Sequence, residues 1–314
     1  MIRPRALKRG DRIAVLTPAG PAKETGIIRS AVCAIESLGF SVVLSPWIAD
    51  SWKYLAGPDT TRIKELHWAY SEQAIDGIIC LRGGYGSLRI LPYLDWTLLR
   101  RHPKVFIGMS DITALQLAIL QNADMITFAG PMPALNDFGD FTPFSSSLLL
   151  DSVTGTGIFP LVVGEGPEDP KPIILSNGEA SGVLRGGNLN TIVSMIGTPF
   201  QPFFDGSIIV LEEINEAPYR VDRMITQLIL GGHLDNVMGV ALSRFHGCYE
   251  DSEGEIIDVL HERLTTLEVP ILYGLALGHQ RDVVTWPQGA SGFLDCTGGC
   301  LHIREPGVDI EASS

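Results

Sequence analysis

The segment KVFIGMSDIT, residues 104–113, places a serine where an apolar run meets a helical pattern. Glycine stands two positions before Ser110, and Asp111 follows it directly. A turn here would expose the hydroxyl of a nucleophile, and the first N–H groups of the next helix could stabilise an oxyanion. The pattern resembles G-x-S-x-G, although Ile112 occupies the position of the second glycine. On this segment alone, a nucleophile and an ordinary helix N-cap both remain open.

A glycine-rich loop, LRGGYGS (residues 81–87), follows the apolar run IIC. Its glycines, Gly83, Gly84 and Gly86, permit close backbone approach and unusual dihedral angles, so N–H groups could converge on an anion or oxyanion. Neither G-x-G-x-x-G nor G-x-x-x-x-G-K-[ST] is present, which disfavours a nucleotide site. A tight strand-to-helix turn is the alternative interpretation.

A serine nucleophile needs a general base and a carboxylate that orients it. Two histidines end apolar, strand-like runs: His246 in SRFHG and His279 in YGLALGHQ, with His279 only slightly favoured. The strand-like run SIIVLEE ends in Glu212 and Glu213. Adjacent strand residues point to opposite faces, so only one of this pair can reach a given histidine. The spacing does not choose between them.

The cysteines and histidines do not predict a metal or cofactor site. H-E-x-x-H is absent, and no cysteine–histidine cluster has ligand spacing. The five cysteines, an odd number without C-x-x-C spacing, are Cys33, Cys80, Cys248, Cys296 and Cys300. We therefore expect reduced, buried thiols in a cytoplasmic protein that holds neither metal nor cofactor.

The elements that must position these residues are clearest in the first 130 residues, where short apolar runs alternate with helical patterns. The predicted strands are DRIAVL, SVVL, DGIIC, VFIG and MITFA. Apolar strands separated by single helices predict an α/β domain with a doubly wound parallel sheet. Ligand sites in such sheets lie at the carboxyl ends of the strands, where TPAGPA, RGGYGS and GMSD all fall.

A compositional change divides the chain. Residues 136–172 are rich in Gly, Pro, Ser and acidic residues, which predicts a linker. We therefore expect a first domain over residues 1–135 that carries Ser110. A second, smaller α/β or α+β domain over residues 173–314 would carry the glutamate pair and His279.

Composition and charge limit the classes of partner that the protein could bind. The chain has 314 residues, of which 45% are hydrophobic, enough for sizeable cores. A formal net charge of −13 argues against nucleic acid and anionic membranes as partners. No apolar run approaches the ~18–20 residues of a membrane span, and the N-terminal run is shorter than the ~7–15 residues of a signal core. We expect a cytoplasmic protein whose ligand is a small molecule or peptide.

Six segments in one order resemble the LD-carboxypeptidase family of serine peptidases, which includes muramoyltetrapeptide carboxypeptidases and microcin C immunity peptidases. The segments are LKRGDRIAVLTPAGP, IICLRGGYGSLRILPYLD, VFIGMSDITALQLAI, LRGGNLNTIVSMIGTPF, IIVLEEINEAPYRVDRMITQLILGG and VPILYGLALGHQRD. They extend through nearly the whole chain.

The resemblance implies a fold and a set of site residues. Family members have an N-terminal flavodoxin-like domain with the serine and a C-terminal domain with the glutamate and histidine. Matched motif by motif, the implied catalytic triad is Ser110, Glu212 and His279. The implied oxyanion donors are the backbone N–H groups of Gly84 and Asp111. The family also implies a homodimer.

The implied substrate is a small peptide, a murein tetrapeptide whose L,D-amide bond to the terminal D-alanine is hydrolysed during cell-wall recycling. Its carboxylates could be bound by Arg82, Arg185 or Arg281, and the sequence does not assign one. The chain departs from the family pattern at Met109 and at Val283, two positions expected to flank the substrate.

Two alternatives to this function stay open. A related peptidase could cleave a microcin-C-like peptidyl or aminoacyl nucleotide conjugate, which an aromatic residue such as Trp52 or Trp286 would favour by stacking on the base. A non-catalytic binding protein could also be built on the same scaffold.

Overall fold

The computed structural model describes residues 1–22, 24–134 and 141–310. The chain divides into two compact units. The N-terminal unit comprises Met1–Gly157, Thr285–Gly289 and Pro306–Ser314. The C-terminal unit comprises Ile158–Val284 and Ala290–Glu305.

The N-terminal unit is built on a six-stranded sheet. Its strands are β1 (Arg12–Leu16), β2 (Ser41–Leu44), β3 (Gly77–Cys80), β4 (Val105–Gly108), β5 (Thr127–Ala129) and, from late in the chain, β12 (Trp286–Gln288). Its helices are α1 (Thr25–Ser37), α2 (Asp59–Ser71), α3 (Ser87–Ile90), α4 (Trp96–Arg101), α5 (Thr113–Asn122) and α6 (Pro143–Thr154).

The strand order of this sheet is β12-β5-β4-β3-β1-β2. All neighbours pair in parallel except β12, which pairs antiparallel with β5. The order β2-β1-β3-β4-β5 is that of flavodoxin-like, doubly wound sheets, so the predicted fold is confirmed. Strands β3 and β4 are buried along their whole length, as a sheet covered on both faces requires.

The C-terminal unit contains an eight-stranded mixed sheet. Its strands are β6 (Leu161–Val163), β7 (Ile173–Ser176), β8 (Glu179–Asn188), β9 (Ser207–Glu212), β10 (Gly239–Ser243), β11 (Ile271–Leu275), β13 (Ser291–Asp295) and β14 (Cys300–Ile303). Its helices are α7 (Leu189–Met195), α8 (Pro218–Leu230) and α9 (Glu253–Leu264).

Strands β8, β9, β10 and β11 form a parallel centre, and the remaining strands pair antiparallel at both flanks. The full order is β6-β14-β13-β8-β9-β10-β11-β7. This smaller unit therefore combines an α/β centre with antiparallel additions, as the sequence predicted. None of the helices in the described ranges is long and apolar enough to cross a membrane.

The segment predicted as a linker, residues 136–172, contains α6 and β6 in its described part, while residues 136–140 lie outside the described residues. Several residues of a type common in turns begin and end helix α6 instead. Thr142 caps α6 through its side chain, Pro143 occupies the first turn, and Gly155 ends the helix in a left-handed conformation. The compact units also assign residues 285–289 and 306–314 to the N-terminal unit.

All five cysteines are free. Cys80, Cys248 and Cys296 are buried and Cys300 is half-buried, but Cys33 is exposed, so the expectation of a buried thiol was wrong there. Ala31 and Ile35 form the buried face of α1, and Cys33, two residues from each, lies on the other side of the helix.

Candidate active site

Ser110 lies at a sharp turn after β4 in the N-terminal unit. Met109 is extended at φ −159°, and Ser110 opens a short 3-10 helix that leads into α5. Ser110 itself has φ +64°, a left-handed conformation that costs a non-glycine residue about 1–3 kcal/mol. Neither helix start has a side-chain cap hydrogen bond, so the N-cap interpretation of Ser110 does not hold. A strained turn presenting a hydroxyl is the geometry of a nucleophile elbow.

The glycine loop after β3 packs directly on this serine. A Cβ atom on Gly83 would lie 2.8 Å from Ser110 Cβ, 2.9 Å from its Oγ and 3.3 Å from the Asp111 nitrogen. No larger residue fits there without displacing the serine. Gly84, the next residue, has φ +114°. Main chain from two strand ends therefore lies beside the Ser110 hydroxyl.

The side chain of Asp111 links the turn to this loop. It is buried, and its Oδ2 accepts a hydrogen bond from the Ser87 N–H at 2.8 Å. Burial raises the pKa of Asp111, while backbone hydrogen bonds from Ser87 and Gly86 oppose the rise. The loop after β1 joins the arrangement, because Gly20 N–H donates to the Gly83 carbonyl at 3.0 Å.

Helix α2 holds these loops through two buried charged residues. Arg62 is fully buried and donates to the carbonyl oxygens of Pro18 at 2.7 Å and Gly86 at 2.8 Å. Glu65 accepts the Thr17 N–H at 3.0 Å, and burial raises its pKa to about 7. One helix thus fixes the ends of two neighbouring strands, which sets the path of the glycine loop.

Two tyrosines are exposed at the same loop. Tyr85 belongs to the GGYG segment and is 52% exposed, and Tyr54 is 59% exposed. Their rings meet edge to face with centroids 5.6 Å apart. This pair offers an aromatic surface to a ligand directly after Gly84.

In the C-terminal unit, Glu212 and His279 form a buried pair. Glu212 ends β9 and is 3% exposed, and His279 is 8% exposed. The His279 Nδ1 lies 2.5 Å from Glu212 Oε2, and the His279 backbone N–H donates to the same oxygen at 3.3 Å. Burial alone would lower the pKa of His279, but the charge and hydrogen bond of Glu212 outweigh it and raise the pKa.

Gly278 makes this pairing possible. It has φ +77°, and a Cβ atom there would lie 2.4 Å from Glu212 Cβ and 2.9 Å from Glu212 Oε2. The carboxylate occupies the space that any side chain at position 278 would need. The glycine that precedes the histidine in the sequence therefore permits its contact with Glu212.

Glu213 points to the opposite face, as strand alternation requires. It is also buried. Its carboxylate accepts hydrogen bonds from Asn188 Nδ2 at 2.9 Å and from the Asn190 and Ile214 backbone at 2.8 and 2.9 Å. Burial, followed by the charge of Glu212, raises its pKa to about 7. The competing histidine, His246, is exposed.

The three arginines considered as carboxylate ligands differ in setting. Arg82, in the N-terminal unit, and Arg185, in the C-terminal unit, are each partly buried and donate to a backbone carbonyl. The Nε of each is buried without a partner among the described residues. Arg281 is exposed and lies 3.2 Å from Glu168.

The comparisons with known proteins decide the family. A model of the LD-carboxypeptidase N-terminal domain matches residues 13–130, and a model of the C-terminal domain matches residues 181–294. A "Probable murein peptide carboxypeptidase" from Bacillus subtilis is 34% identical over 98% of this chain and 95% of its own length. The chain belongs to the LD-carboxypeptidase family. It is therefore a carboxypeptidase hydrolase.

Two other relatives are named, one as a muramoyltetrapeptide carboxypeptidase and the other as a microcin self-immunity protein. The crystal structure of a muramoyltetrapeptide carboxypeptidase from Oxalobacter formigenes is similar with a TM-score of 0.80 and 28% identity, covering 94% of this chain and 98% of that chain. The "Microcin C7 self-immunity protein MccF" of Escherichia coli is 26% identical over 96% of this chain and 95% of its own length.

The carboxypeptidase structure groups the predicted site residues within each unit. Ser110, Gly84 and Asp111 lie together in the N-terminal unit, and Glu212 and His279 are in contact in the C-terminal unit. The two positions that departed from the family pattern are core residues, with Met109 3% and Val283 2% exposed. Both side chains are buried in the interior, which explains why each is apolar.

Sequence reasoning missed the buried supports of this carboxypeptidase. Arg62 and Glu65 lie three residues apart in α2 and share its buried face with Leu66 and Ala69. Charged residues at helical spacing within an apolar face were the signal for them. For Gly83, no local signal separates it from its neighbours, because its role depends on a contact between distant segments.

Proposed function

We propose that the chain is a serine carboxypeptidase with a Ser-His-Glu triad, which hydrolyses the L,D-amide bond to the terminal D-alanine of murein tetrapeptides. The observation that carries the proposal is the contact of Glu212 with His279 Nδ1 at 2.5 Å. It leaves Nε2 as the imidazole nitrogen available for proton transfer, which is the role of a triad histidine.

In the proposed reaction, Ser110 Oγ attacks the carbonyl carbon of the scissile amide while His279 Nε2 takes the hydroxyl proton. The developing oxyanion accepts hydrogen bonds from the N–H groups of Gly84 and Asp111. His279 then returns the proton to the leaving D-alanine nitrogen, and the C–N bond breaks. Water attacks the acyl-enzyme with the same histidine as base, which frees the shortened peptide and restores Ser110.

Glu212 serves this cycle by holding the imidazole and stabilising its charged form. Its negative charge favours the imidazolium that exists after each proton abstraction, in agreement with the raised pKa of His279. Burial of both side chains strengthens the interaction, because water does not screen it. Glu213 faces away and supports the strand end instead.

The murein substrate is supported by the names of two similar proteins, the Bacillus subtilis and Oxalobacter formigenes carboxypeptidases. A peptide ending in D-alanine carries a free carboxylate at the leaving group. Arg82 and Arg185, each with a buried and unpartnered Nε among the described residues, are candidates to bind carboxylates of such a ligand.

The direct test is release of D-alanine from purified muramoyl tetrapeptide. The wild-type protein should release stoichiometric D-alanine, and Ser110→Ala should lower kcat by about 10⁴–10⁶. Ser30→Ala, which changes an exposed serine of α1, is the matched control and should be fully active. Absence of D-alanine at high concentrations of folded wild-type protein would refute the murein substrate.

A second candidate is a peptidase for microcin-C-like peptidyl or aminoacyl nucleotide conjugates. Trp286, one of the aromatic residues considered for stacking, is 3% exposed and buried in β12, so it offers no platform. Trp52 is 42% exposed, with the Lys53 ammonium 4.4 Å from its ring centre. The exposed Tyr54–Tyr85 pair is the stronger observation for this candidate.

Competition between the two substrate classes distinguishes these functions. If the nucleotide conjugate is the substrate, its kcat/KM should exceed that of the tetrapeptide, and Tyr85→Ala should raise its KM about 2–12-fold through loss of an aromatic contact. Tyr93→Ala, at another exposed tyrosine, controls for surface changes. Faster turnover of the tetrapeptide, with no effect of Tyr85→Ala, favours the murein function.

The cellular setting is part of the same proposal. Hydrolysis of murein tetrapeptides in the cytoplasm would place the enzyme in cell-wall recycling, and the family resemblance implies a homodimer. Light scattering of the purified protein measures the oligomeric state. Fractionation of expressing cells measures the location.

A further inference from the structure

We propose that a hairpin in the C-terminal unit binds Zn²⁺ through Asp295, Cys300 and His302. In the described part of the chain, these three residues form a group of potential metal ligands whose ligand atoms all lie within 4.8 Å of one another. The proposed peptidase chemistry uses none of them. D-x4-C-x-H is neither H-E-x-x-H nor a usual cysteine–histidine ligand spacing, so the sequence alone predicted no metal site.

Strand pairing brings the three ligands together. Asp295 ends β13 and is paired directly with Cys300, the first residue of β14. His302 stands two residues further along β14 and therefore projects from the same face as Cys300. Directly opposed and diagonal residues on one face of an antiparallel pair are close enough for their side chains to meet. The register of the hairpin, rather than local spacing, creates the group.

The distances fit a tetrahedral ion. Cys300 Sγ and His302 Nε2 are 3.3 Å apart. With Zn–S near 2.3 Å and Zn–N near 2.0–2.1 Å, tetrahedral coordination places sulfur and nitrogen roughly 3.5 Å apart. The observed separation therefore requires almost no movement of either side chain. Asp295 completes the set with a carboxylate oxygen that lies within 4.8 Å of both of these ligand atoms.

The neighbouring contacts hold two of the ligands in place. Asp295 Oδ1 accepts the Gly298 N–H at 2.7 Å, which fixes the carboxylate over the turn. The His302 ring lies against Phe293 with centroids 5.6 Å apart. Fixed ligands bind an ion with less loss of side-chain entropy, and a hydrogen bond to a ligating carboxylate is a usual feature of metal sites.

The donor set points to zinc, and the site is accessible. Thiolate and imidazole ligands select zinc over magnesium or calcium, which prefer oxygen ligands alone. Val162, paired with His302 on the same face, is 55% exposed, so this face of the sheet is open to solvent. Three protein ligands leave a fourth position for water or a small anion.

The experiment uses the full-length protein, purified without metal under reducing conditions, with Co²⁺ as a spectroscopic substitute for Zn²⁺. One equivalent of Co²⁺ should produce a thiolate-to-metal charge-transfer band, and Zn²⁺ should displace it. Cys300→Ser should abolish the band. His302→Gln and Asp295→Asn should each weaken Co²⁺ binding at least about 10-fold, the lower bound for losing even an indirect support of a metal ligand.

Cys33→Ser, which removes the exposed thiol of α1, is the matched control and should bind Co²⁺ like the wild type. Thermal melts in chelator establish that each variant is folded. If Cys300→Ser does not fold, the affinities of His302→Gln and Asp295→Asn decide the question. An ordinary thiol–imidazole hydrogen bond predicts no charge-transfer band at one equivalent. That result, or a band that survives Cys300→Ser, overturns the proposal.

Discussion

The Ser110 turn and the Glu212–His279 pair differ in which residue adopts a left-handed backbone conformation. Both need a glycine where a Cβ atom would lie too close to a side chain of the proposed triad: Gly83 beside Ser110 and Gly278 beside Glu212. At the turn, Ser110 itself adopts φ +64°. At the pair, Gly278 adopts φ +77°, and Glu212 and His279 avoid that strain.

The difference concerns what each region must deliver. The first region presents a hydroxyl and backbone N–H groups, so the main chain has to be held, which the buried Arg62 and Asp111 do through hydrogen bonds to the loops. In the proposed triad the second region delivers a proton acceptor, so the charge and tautomer of His279 have to be held. Substitutions in the first should change geometry, and those in the second should change protonation.

Apart from removal of the Ser110 hydroxyl, the largest loss of kcat is expected at Glu212, the carboxylate of the pair. Glu212→Gln keeps the shape of the side chain but removes the charge that fixes the His279 tautomer. We expect kcat to fall about 10⁴-fold, the scale known for the equivalent change in a serine protease triad. Far-UV circular dichroism and D-alanine release measure fold and rate.

The adjacent residue supplies the matched control. Glu213→Gln makes the same chemical change in a carboxylate that faces Asn188 and is equally buried. We expect a lower melting temperature and a change in kcat of less than about 10-fold. Equal losses of kcat in both variants would contradict the assignment of Glu212 as the orienting carboxylate.

The next largest loss of kcat is expected for a substitution beside the Ser110 turn. Gly83→Ala would place a methyl group 2.8 Å from Ser110 Cβ, so the loop must move away from the serine. We expect kcat to fall about 10²–10³-fold, as when one oxyanion donor is lost. Gly26→Ala, where a Cβ atom meets nothing within 4 Å, is the control, and an active Gly83→Ala enzyme would refute the close packing.

The strands and loops around Ser110 were predictable because buried parallel strands leave continuous apolar runs. Residues such as Gly83 and Glu212 could be placed at strand ends from the sequence. The choice of Glu212 over Glu213 could not be made from spacing, since alternation gives opposite faces without saying which face holds the histidine. That choice rested on the family resemblance.

Tertiary features account for what the sequence did not reveal. Helix α6 was not predicted because Thr142, Pro143 and Gly155 suggest a loop by composition, whereas in the structure they begin and end this helix. The Asp295–Cys300–His302 group depends on the hairpin register, which short strands around Gly298 and Gly299 specify weakly in sequence.

A smaller loss of kcat is expected for Arg62, which holds the loops beside Ser110 through hydrogen bonds. Arg62→Lys keeps the charge but leaves one nitrogen to replace both Nη1, which donates to the Pro18 and Gly86 carbonyls, and Nη2, which donates to Asp59. We expect kcat to fall roughly 10-fold, from one carbonyl left unpaired and a looser loop. Arg89→Lys, at the partly exposed partner of Asp59, should be near wild type. A change in KM alone would show that Arg62 does not position the catalytic loop.

The smallest effect should appear in the pH dependence of kcat/KM, which the Glu212–His279 pair is expected to control. In the proposed triad His279 must be neutral to accept the serine proton, and Glu212 raises the pKa of His279 above the ordinary value of about 6.5. The acid limb of kcat/KM should therefore lie above that pH in the wild type and move to lower pH in Glu212→Gln.

Because the folded-state pKa of His279 is raised, its contribution to stability is fully present below the unfolded pKa and is lost as pH rises through the folded pKa. Activity and this part of the stability therefore change in opposite directions across one pH window. Melting temperatures and kcat/KM measured on the same samples test that opposition. Gly83→Ala should leave the midpoint of the acid limb unchanged, since it alters geometry without altering charge. A midpoint that moves in Gly83→Ala but not in Glu212→Gln would contradict the inference that the Ser110 turn controls geometry and the Glu212–His279 pair controls protonation.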